Sequence, residues 1–268
     1  MVRQIFKTLG LLAILSGLVA CSDVNDQNRL SVYLCDAPAD YTALDCYVAE
    51  VAVRAGDGAW QTLEIADSYL PLMNLVNGKM QLVAEGTMPQ GASYDAVRIL
   101  FSTENATVRV LDQNLPLAVD PDDAAVVVPF ATLTMDGPNR PLLFDVDLAA
   151  SVVEDPAAES GYRFRPRVTF VDTDRCGVVQ GGLQIGESAL SGRMRIEFID
   201  PATGSVVAST YSSLNPVGAF FMRLLPGEYI LRVDPRATSG IRPYSEPITI
   251  VSQQITDLGN IVLERENL

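Results

Sequence analysis

The chain has 268 residues, with 33 acidic against 19 basic side chains, a formal net charge of −14 and no histidine. This excess of negative charge repels nucleic-acid phosphates and anionic lipid headgroups, which argues against a nucleic-acid partner. The lack of histidine removes the commonest general base, the imidazole metal ligands, and both the Ser-His-Asp and the Cys-His catalytic arrangements.

The N-terminus has the pattern of an export signal. Arg3 and Lys7 precede an apolar run, residues 9–20, in which Ser16 is the only polar side chain. A run of about a dozen residues is shorter than the roughly 20 that a membrane-spanning helix needs. The segment is therefore expected to direct export and then to be removed.

The apolar run ends in Leu18-Val-Ala-Cys21, which resembles the lipobox of bacterial lipoproteins. In that family a peptidase cleaves before the cysteine, whose sulfur carries a diacylglycerol and whose new amino group is usually acylated. The resemblance implies a signal peptide at residues 1–20, lipidation of Cys21, and a solvated tether at residues 21–28. Ser22 is compatible with sorting to the outer membrane. The alternative is an ordinary cleaved signal followed by an unrelated cysteine.

Loss of residues 1–20 would remove Arg3 and Lys7 and no acidic residue, so the charge would move from −14 to −16. The expected protein is then an acidic, lipid-anchored component of the bacterial cell envelope. Its partner through the anchor is the membrane.

The rest of the chain has the pattern of short β-strands. Strict alternation of apolar and polar residues predicts half-buried strands at Tyr162–Phe170 and Met194–Phe198. Short strands bounded by turn residues favour sandwiches or barrels, so the predicted fold is mainly β with two β-sandwich-like domains. Further strands are predicted at Leu30–Cys35, Cys46–Arg54, Ala96–Phe101, Thr107–Leu111, Ala125–Phe130, Pro141–Leu148, Phe220–Leu224, Tyr229–Val233, Pro247–Val251 and Gly259–Leu263.

Two intervals depart from this pattern. Residues 70–83 have apolar spacing closer to that of a helix, interrupted by Asn77-Gly78, and predict at most a short helix or two turns. Residues 172–182 contain three glycines and break the alternation, which places the boundary between two domains around this stretch. The predicted domains are therefore residues 29–172 and 176–266.

The first half resembles a bacterial family named only as domain of unknown function 4382. The order of its motifs over residues 29–171 carries the resemblance, which implies a secreted, often lipid-anchored β-rich module without an established activity. Cysteines at 35 and 46 depart from the family pattern. The motifs are Leu30–Tyr41, Val48–Val53, Leu72–Gly78, Met88–Gly91 with Tyr94 and Arg98, Phe144–Asp147 and Arg165–Val168.

The second half resembles the small transthyretin-like or carboxypeptidase-regulatory-like sandwich. The resemblance rests on Arg193–Ile199, Gly218–Leu224, the turn Pro226–Tyr229 and Leu258–Leu263. A Pro-Gly pair before Glu-Tyr suits a tight turn that leads into a strand. Modules of this type usually support or position a neighbouring domain and do not catalyse.

Paired carboxylates are the only catalytic groups that the sequence offers. Asp145 and Asp147 are two residues apart on a predicted strand and so share one face. A glycosidase needs two carboxylates across a cleft at roughly 5–10 Å. The structural alternative, which we favour, pairs them across strands with the arginines of Tyr162–Phe170: Arg163, Arg165 and Arg167.

The same arginines could bind a sulfated or carboxylated glycan through bidentate contacts. In a chain with 33 acids, internal pairing is the favoured interpretation. Pro166 lacks an amide hydrogen, so it suggests an edge or a bulge within this strand.

Two acidic loops offer oxygen ligands for calcium. They contain Asp120, Asp122 and Asp123 in the first loop and Asp172 and Asp174 in the second. Neither has the spaced, glycine-containing loop of an EF-hand, so solvated loops without metal are expected. No cofactor is predicted.

Lipidation of Cys21 would leave Cys35, Cys46 and Cys176 in an oxidising compartment, where one disulfide and one remaining thiol are expected. Cys35 and Cys46 would close a loop of about twelve residues, a constraint that contributes roughly 3 kcal/mol in the chain-entropy model. This pair is favoured, and pairing of either cysteine with Cys176 remains open.

The sequence thus predicts a lipid-anchored envelope protein that acts as a non-catalytic binding, adhesion or structural module. Its partner would be a glycan or another envelope protein. The alternatives are a carboxylate-based glycoside hydrolase that uses Asp145 or Asp147, and an assembly partner that uses its C-terminal sandwich for contact.

Overall fold

The computed structural model describes residues 28–37, 43–75, 78–110, 112–188, 190, 192–235 and 240–266. Nearly all of its regular structure is β, which confirms the predicted fold class. The described residues also include a 3₁₀ helix, Leu72–Asn74, and a single-turn α-helix α1, Leu148–Ser151. The 3₁₀ helix lies in the interval for which the sequence predicted a short helix or two turns.

The first fifteen strands form the N-terminal unit, defined as the described residues between 28 and 171. They are β1 (Asn28–Ala37), β2 (Leu44–Arg54), β3 (Gln61–Thr62), β4 (Glu64–Ile65), β5 (Tyr69–Pro71), β6 (Gln81–Met88), β7 (Ser93–Phe101), β8 (Thr107–Val110), β9 (Gln113–Pro116), β10 (Ala118–Val119), β11 (Ala125–Thr134), β12 (Asn139–Asp147), β13 (Val152–Glu154), β14 (Tyr162–Phe164) and β15 (Val168–Val171).

These strands build two large sheets and a small one. The five-stranded sheet has the order β15-β12-β1-β6-β4, in which β1 pairs parallel with β12 and antiparallel with β6. The seven-stranded sheet has the order β11-β7-β2-β8-β9, and β3 and β5 also pair with β2. The small sheet is β10-β14-β13.

The N-terminal core lies between the two large sheets. Leu30, Val32 and Leu34 of β1 alternate into it, as period-2 side chains on one face of a strand must. On β2 the inward positions change parity, because the pairing of β2 with β7 shifts between Val48 and Glu50. As a result Cys46 and Val48 point inward before the irregularity, and Val51 and Val53 point inward after it.

The C-terminal unit, defined as the described residues between 177 and 266, is a two-sheet sandwich with its own core. Its strands are β16 (Gly177–Ile185), β17 (Arg195–Ile199), β18 (Val206–Tyr211), β19 (Ala219–Leu224), β20 (Gly227–Asp234), β21 (Tyr244–Ile250) and β22 (Ile255–Leu263). The sheets have the orders β19-β16-β22 and β18-β17-β20-β21. The core includes Val179 and Leu183 from the first sheet and Ile196, Phe198 and Leu231 from the second.

Within the stretch where the sequence placed the domain boundary, residues 172–182, β16 begins at Gly177 and is the central strand of its sheet. Glycines are required at two positions of β16, because atoms of neighbouring residues occupy the space that a Cβ would need. A Cβ at Gly177 would lie 2.2 Å from the carbonyl oxygen of Val251, and one at Gly182 would lie 2.5 Å from Asn260 Oδ1. The turn between the units is therefore confined to residues 172–176.

The single strand predicted for Tyr162–Phe170 is divided in the structure. Residues 165–167 around Pro166 belong to no strand, and they separate β14 in the small sheet from β15 in the five-stranded sheet. The proline cannot donate a ladder hydrogen bond, which agrees with this break. The apolar residues of the predicted strand still face the core, since Phe164 is fully buried and Phe170 packs against the same core.

The predicted Cys35–Cys46 disulfide is wrong, since the structure has no disulfide bond among the described cysteines. The two side chains lie on different sides of the five-stranded sheet. Cys46 is part of the N-terminal core, whereas Cys35 follows Leu34 on β1 and points to the outer face. A short separation in sequence does not bring two thiols to one face, because alternation along β1 decides the direction of each.

Candidate functional site

Two of the three arginines that the sequence placed on one strand face, Arg163 and Arg165, have acidic partners from nearby loops. Arg163 contacts Asp120 at 2.8 Å and Asp155 at 2.7 Å, and Arg165 contacts Asp123 at 2.9 Å. The hydrogen bond from Arg163 is the main reason why the pKa of Asp155 lies below its usual value. These contacts are structural ion pairs that fix the loops around β14.

Asp145 and Asp147 do not form the predicted pairs with those arginines. Asp147 accepts a hydrogen bond from the backbone N–H of Ala150 at 3.0 Å and so caps the N-terminus of α1. Asp145 accepts a hydrogen bond from the thiol of Cys35, with 3.6 Å between Sγ and Oδ1. The prediction was wrong because Arg163 and Arg165 pair with loop residues, and Arg167 meets Asp147 through the backbone, with its carbonyl accepting from the Asp147 N–H at 2.9 Å.

Asp145 lies at the junction between the two units. It lines a cavity of about 50 Å³ together with Cys35 and Val171 of the N-terminal unit and Thr210 and Arg223 of the C-terminal unit. Burial raises the pKa of Asp145 from 3.8 to about 6, and the Cys35 hydrogen bond and the charge of Arg223 oppose this rise.

The polar groups of this junction are not all paired. Thr210 is completely buried, and its hydroxyl oxygen has no hydrogen-bond partner. The guanidinium of Arg223 stacks on the ring of Phe221 at 4.8 Å. Asp145 is therefore a half-buried carboxyl at the junction, beside a cavity that is smaller than a sugar ring.

The acidic loops that were weighed as calcium ligands are also engaged in local contacts. Asp120 and Asp123 bind arginines, and the N–H of Asp122 donates to Asp120 Oδ1 at 3.1 Å. The backbone carbonyl of Asp172 accepts hydrogen bonds within its own turn, and that of Asp174 accepts one from the side chain of Gln253. Within the described ranges, no group of three or more Cys, Asp or Glu residues could hold a metal ion.

A further cluster lies on the outer face of the seven-stranded sheet, and sequence reasoning missed it. The ring of Trp60 has the guanidinium carbon of Arg54 4.5 Å from its centroid and that of Arg98 at 4.9 Å. Arg98 pairs with Glu50 at 2.5 Å. The available signal was weak: Trp60 is the only tryptophan of the chain and follows the turn-forming stretch Gly56-Asp-Gly58.

The predicted lipidation site, Cys21, lies outside the described residues. Among the residues that the structure does describe, no helix has both the length and the apolar character needed to cross a membrane. The remaining cysteine, Cys176, is half-buried at the turn between the units, and burial raises the pKa of its thiol.

The fold and these sites define an all-β protein with two sandwich-like units. The family model described as "Domain of unknown function (DUF4382)" matches residues 27–166, and the chain belongs to this family. The match covers the N-terminal unit up to the break at Pro166. No curated protein matches the chain.

The chain also has distant likenesses among solved structures. The Bacillus anthracis TIE protein is 9% identical with a TM-score of 0.27, and the alignment covers 88% of this chain and 34% of that one. The streptococcal ancillary pilin is 11% identical with a TM-score of 0.27, covering 88% and 69%. BcpA, the major pilin subunit of Bacillus cereus, is 9% identical with a TM-score of 0.27, covering 89% and 70%.

This chain therefore spans about a third of the length of the TIE protein. TM-scores of 0.27 establish neither a shared fold nor a function for this chain.

Proposed function

We propose that this protein is a lipid-anchored module of the bacterial cell envelope, held in the outer membrane through Cys21, and that it binds or supports a partner without catalysis. The N-terminal segment supports the anchor, because a positive start, a short apolar run and Leu-Val-Ala-Cys resemble a lipobox. The C-terminal unit is proposed to be a transthyretin-like or carboxypeptidase-regulatory-like sandwich that positions its neighbour.

One observation carries the non-catalytic part of this proposal. The carboxylates that could have served a hydrolase are engaged in local contacts: Asp147 caps α1, and Asp120, Asp123 and Asp155 bind arginines. Asp145 faces a cavity of about 50 Å³ between the units, which leaves no room for a glycosidic bond and a second carboxylate.

The anchor is tested by expressing the full chain with radiolabelled palmitate and separating membrane from soluble fractions. The wild-type chain should carry label and sediment with outer membranes. Cys21→Ala should lose the label and enter the soluble fraction, because stable anchoring needs two or more acyl chains. Cys176→Ala is the matched control and should behave as wild type; label retained by Cys21→Ala would overturn the proposal.

The non-catalytic role is tested on the same purified protein. Incubation with a panel of envelope and plant polysaccharides should release no new reducing ends. Release that depends on Asp145 would favour the hydrolase alternative. Crosslinking in intact cells that captures one envelope protein through the C-terminal unit would favour an assembly partner.

A further inference from the structure

The cluster around Trp60 occupies a sheet face that the core does not use. Pairing of β2 with β7 places Ala52 opposite Arg98 and Arg54 opposite Ala96. Ala52 and Ala96 are buried, but they do not pack within the cluster of core residues between the two large sheets. Small side chains at these two positions leave room for the indole and the two guanidinium groups to lie against the sheet.

The charges on this face do not balance. Glu50 pairs with Arg98, whereas Arg54 has no ion-pair partner within the described part of the chain. The Nε atom of Arg54 is buried without a hydrogen-bond partner. In a chain with 33 acidic and 19 basic side chains, Arg54 thus keeps a guanidinium charge that no ion pair among the described residues neutralises.

The arrangement suits a carboxylate. A guanidinium presents its N–H groups as a planar fork that matches the two oxygens of a carboxylate, and stacking on Trp60 limits the freedom that the arginine would lose on binding. The net charge of −14 repels densely charged polyanions at long range. A ligand with one carboxylate on a largely neutral framework therefore fits better than a polyphosphate or a highly sulfated chain.

The residues around Arg54 and Trp60 favour a sugar over a peptide as the neutral part of the ligand. β2 and β7 are internal strands, paired on both sides, so this face offers an extended peptide no backbone edge to pair with. Val127 and Pro129 of the neighbouring β11 are exposed and lie opposite Arg98 and Ala96. Together with the indole they provide apolar surface for the C–H face of a ring whose hydroxyl groups remain in water.

We propose that the outer face of the seven-stranded sheet is a binding site for a sugar that carries one carboxylate, such as a uronic acid, with Arg54 as the carboxylate ligand and Trp60 as the platform. This inference rests on the binding role proposed above and names its ligand class. Arg98 is a positioning residue, held by Glu50 against the same ring.

The chain's single tryptophan makes the site directly observable, because the intrinsic tryptophan emission comes from Trp60 alone. The test titrates the protein purified from membranes in detergent with glucuronate, with glucose as the neutral analogue, and with acetate as the carboxylate alone. Calorimetry measures the same affinities independently of emission. Glucuronate should bind with a saturable change, and both glucose and acetate should bind at least ten-fold more weakly.

Substitutions of Arg54 test whether this residue binds the carboxylate of the sugar. Arg54→Gln should weaken glucuronate binding by about ten-fold or more, since it removes a charged hydrogen-bonding group. Arg54→Lys keeps the charge without the planar fork and should recover only part of the affinity. Arg109→Gln, a surface arginine whose side chain is 41% exposed, is the matched control and should leave binding unchanged. Thermal unfolding of each variant verifies that it is folded.

Equal affinity for glucose and glucuronate, or unchanged binding in Arg54→Gln, would overturn this inference. Acetate binding as tight as glucuronate binding would overturn the sugar part of it. Loss of glucuronate binding leaves the membrane fractionation of the same variants unaffected, so failure of this site is distinguishable from failure of the anchor. Cleavage of a uronate-containing oligosaccharide would instead overturn the non-catalytic role.

Discussion

The half-buried carboxyl of Asp145 should make the protein less stable as the pH rises. Its pKa is about 6 in the folded chain against an ordinary value of 3.8, and burial is the largest cause. The charge of Asp147 adds to the rise, whereas Cys35 and Arg223 oppose it. Between these two pKa values the folded state binds more protons than the unfolded state, so each increase in pH favours unfolding.

The expected loss of folding stability follows from the difference between the two pKa values, 3.8 and about 6. The raised pKa costs about 3 kcal/mol of stability near pH 8 and only about 1 kcal/mol near pH 4.5, where the unfolded carboxyl also keeps part of its proton. Asp145→Asn keeps the shape of the side chain and removes the titration. Between these pH values the stability of the variant relative to wild type should improve by about 2 kcal/mol.

Urea unfolding followed by far-ultraviolet circular dichroism, repeated at several pH values, measures this difference. Asp112→Asn is the matched control, because Asp112 is 92% exposed and its positive φ of 63° is one that asparagine tolerates. The control should follow the wild-type pH profile. A difference between Asp145→Asn and wild type that stays constant with pH, or that moves in favour of wild type, would refute the reasoning.

Two further substitutions test the fold. Gly177→Ala should destabilise the C-terminal unit by about 2 kcal/mol, because its Cβ would meet the Val251 carbonyl, whereas Gly137→Ala, with open space around it, should change little; equal melting temperatures would contradict this. Arg163→Gln should raise the pKa of Asp155 in a carbon-detected NMR titration, while Arg165→Gln should move it much less. An unchanged Asp155 pKa in Arg163→Gln would show that this ion pair does not form in solution.

The sequence was most informative where one face of a strand meets the core. The predicted strands at Leu30–Cys35 and Met194–Phe198 fall within or overlap β1 and β17, because the alternating apolar side chains of both enter a core. It failed at β16, where glycines are required by backbone contacts with Val251 and hence remove the apolar signal. It failed again at Pro166, where the pattern continued through a break in hydrogen bonding.

The sites were harder to predict than the strands because their partners come from distant parts of the chain. Asp145 meets Arg223 of the other unit, and nothing within either segment indicates that contact. The Trp60 cluster depends on the register that places Arg54 and Arg98 near one ring. A period-2 pattern predicts which face of a strand a residue occupies, but it does not predict which residues of other strands or of the other unit contact it.

The two large sheets place the junction with the C-terminal unit and the proposed sugar site on different surfaces of the N-terminal unit. The C-terminal unit packs against the outer face of the five-stranded sheet, where Cys35 and Asp145 meet Arg223. β1, which begins at Asn28, runs through the middle of the same sheet. The face of the seven-stranded sheet around Trp60 lies on the opposite side of the core. A ligand bound there would lie across the core from the junction, so substitutions at Arg54 should alter binding while leaving the pH-sensitive junction unchanged.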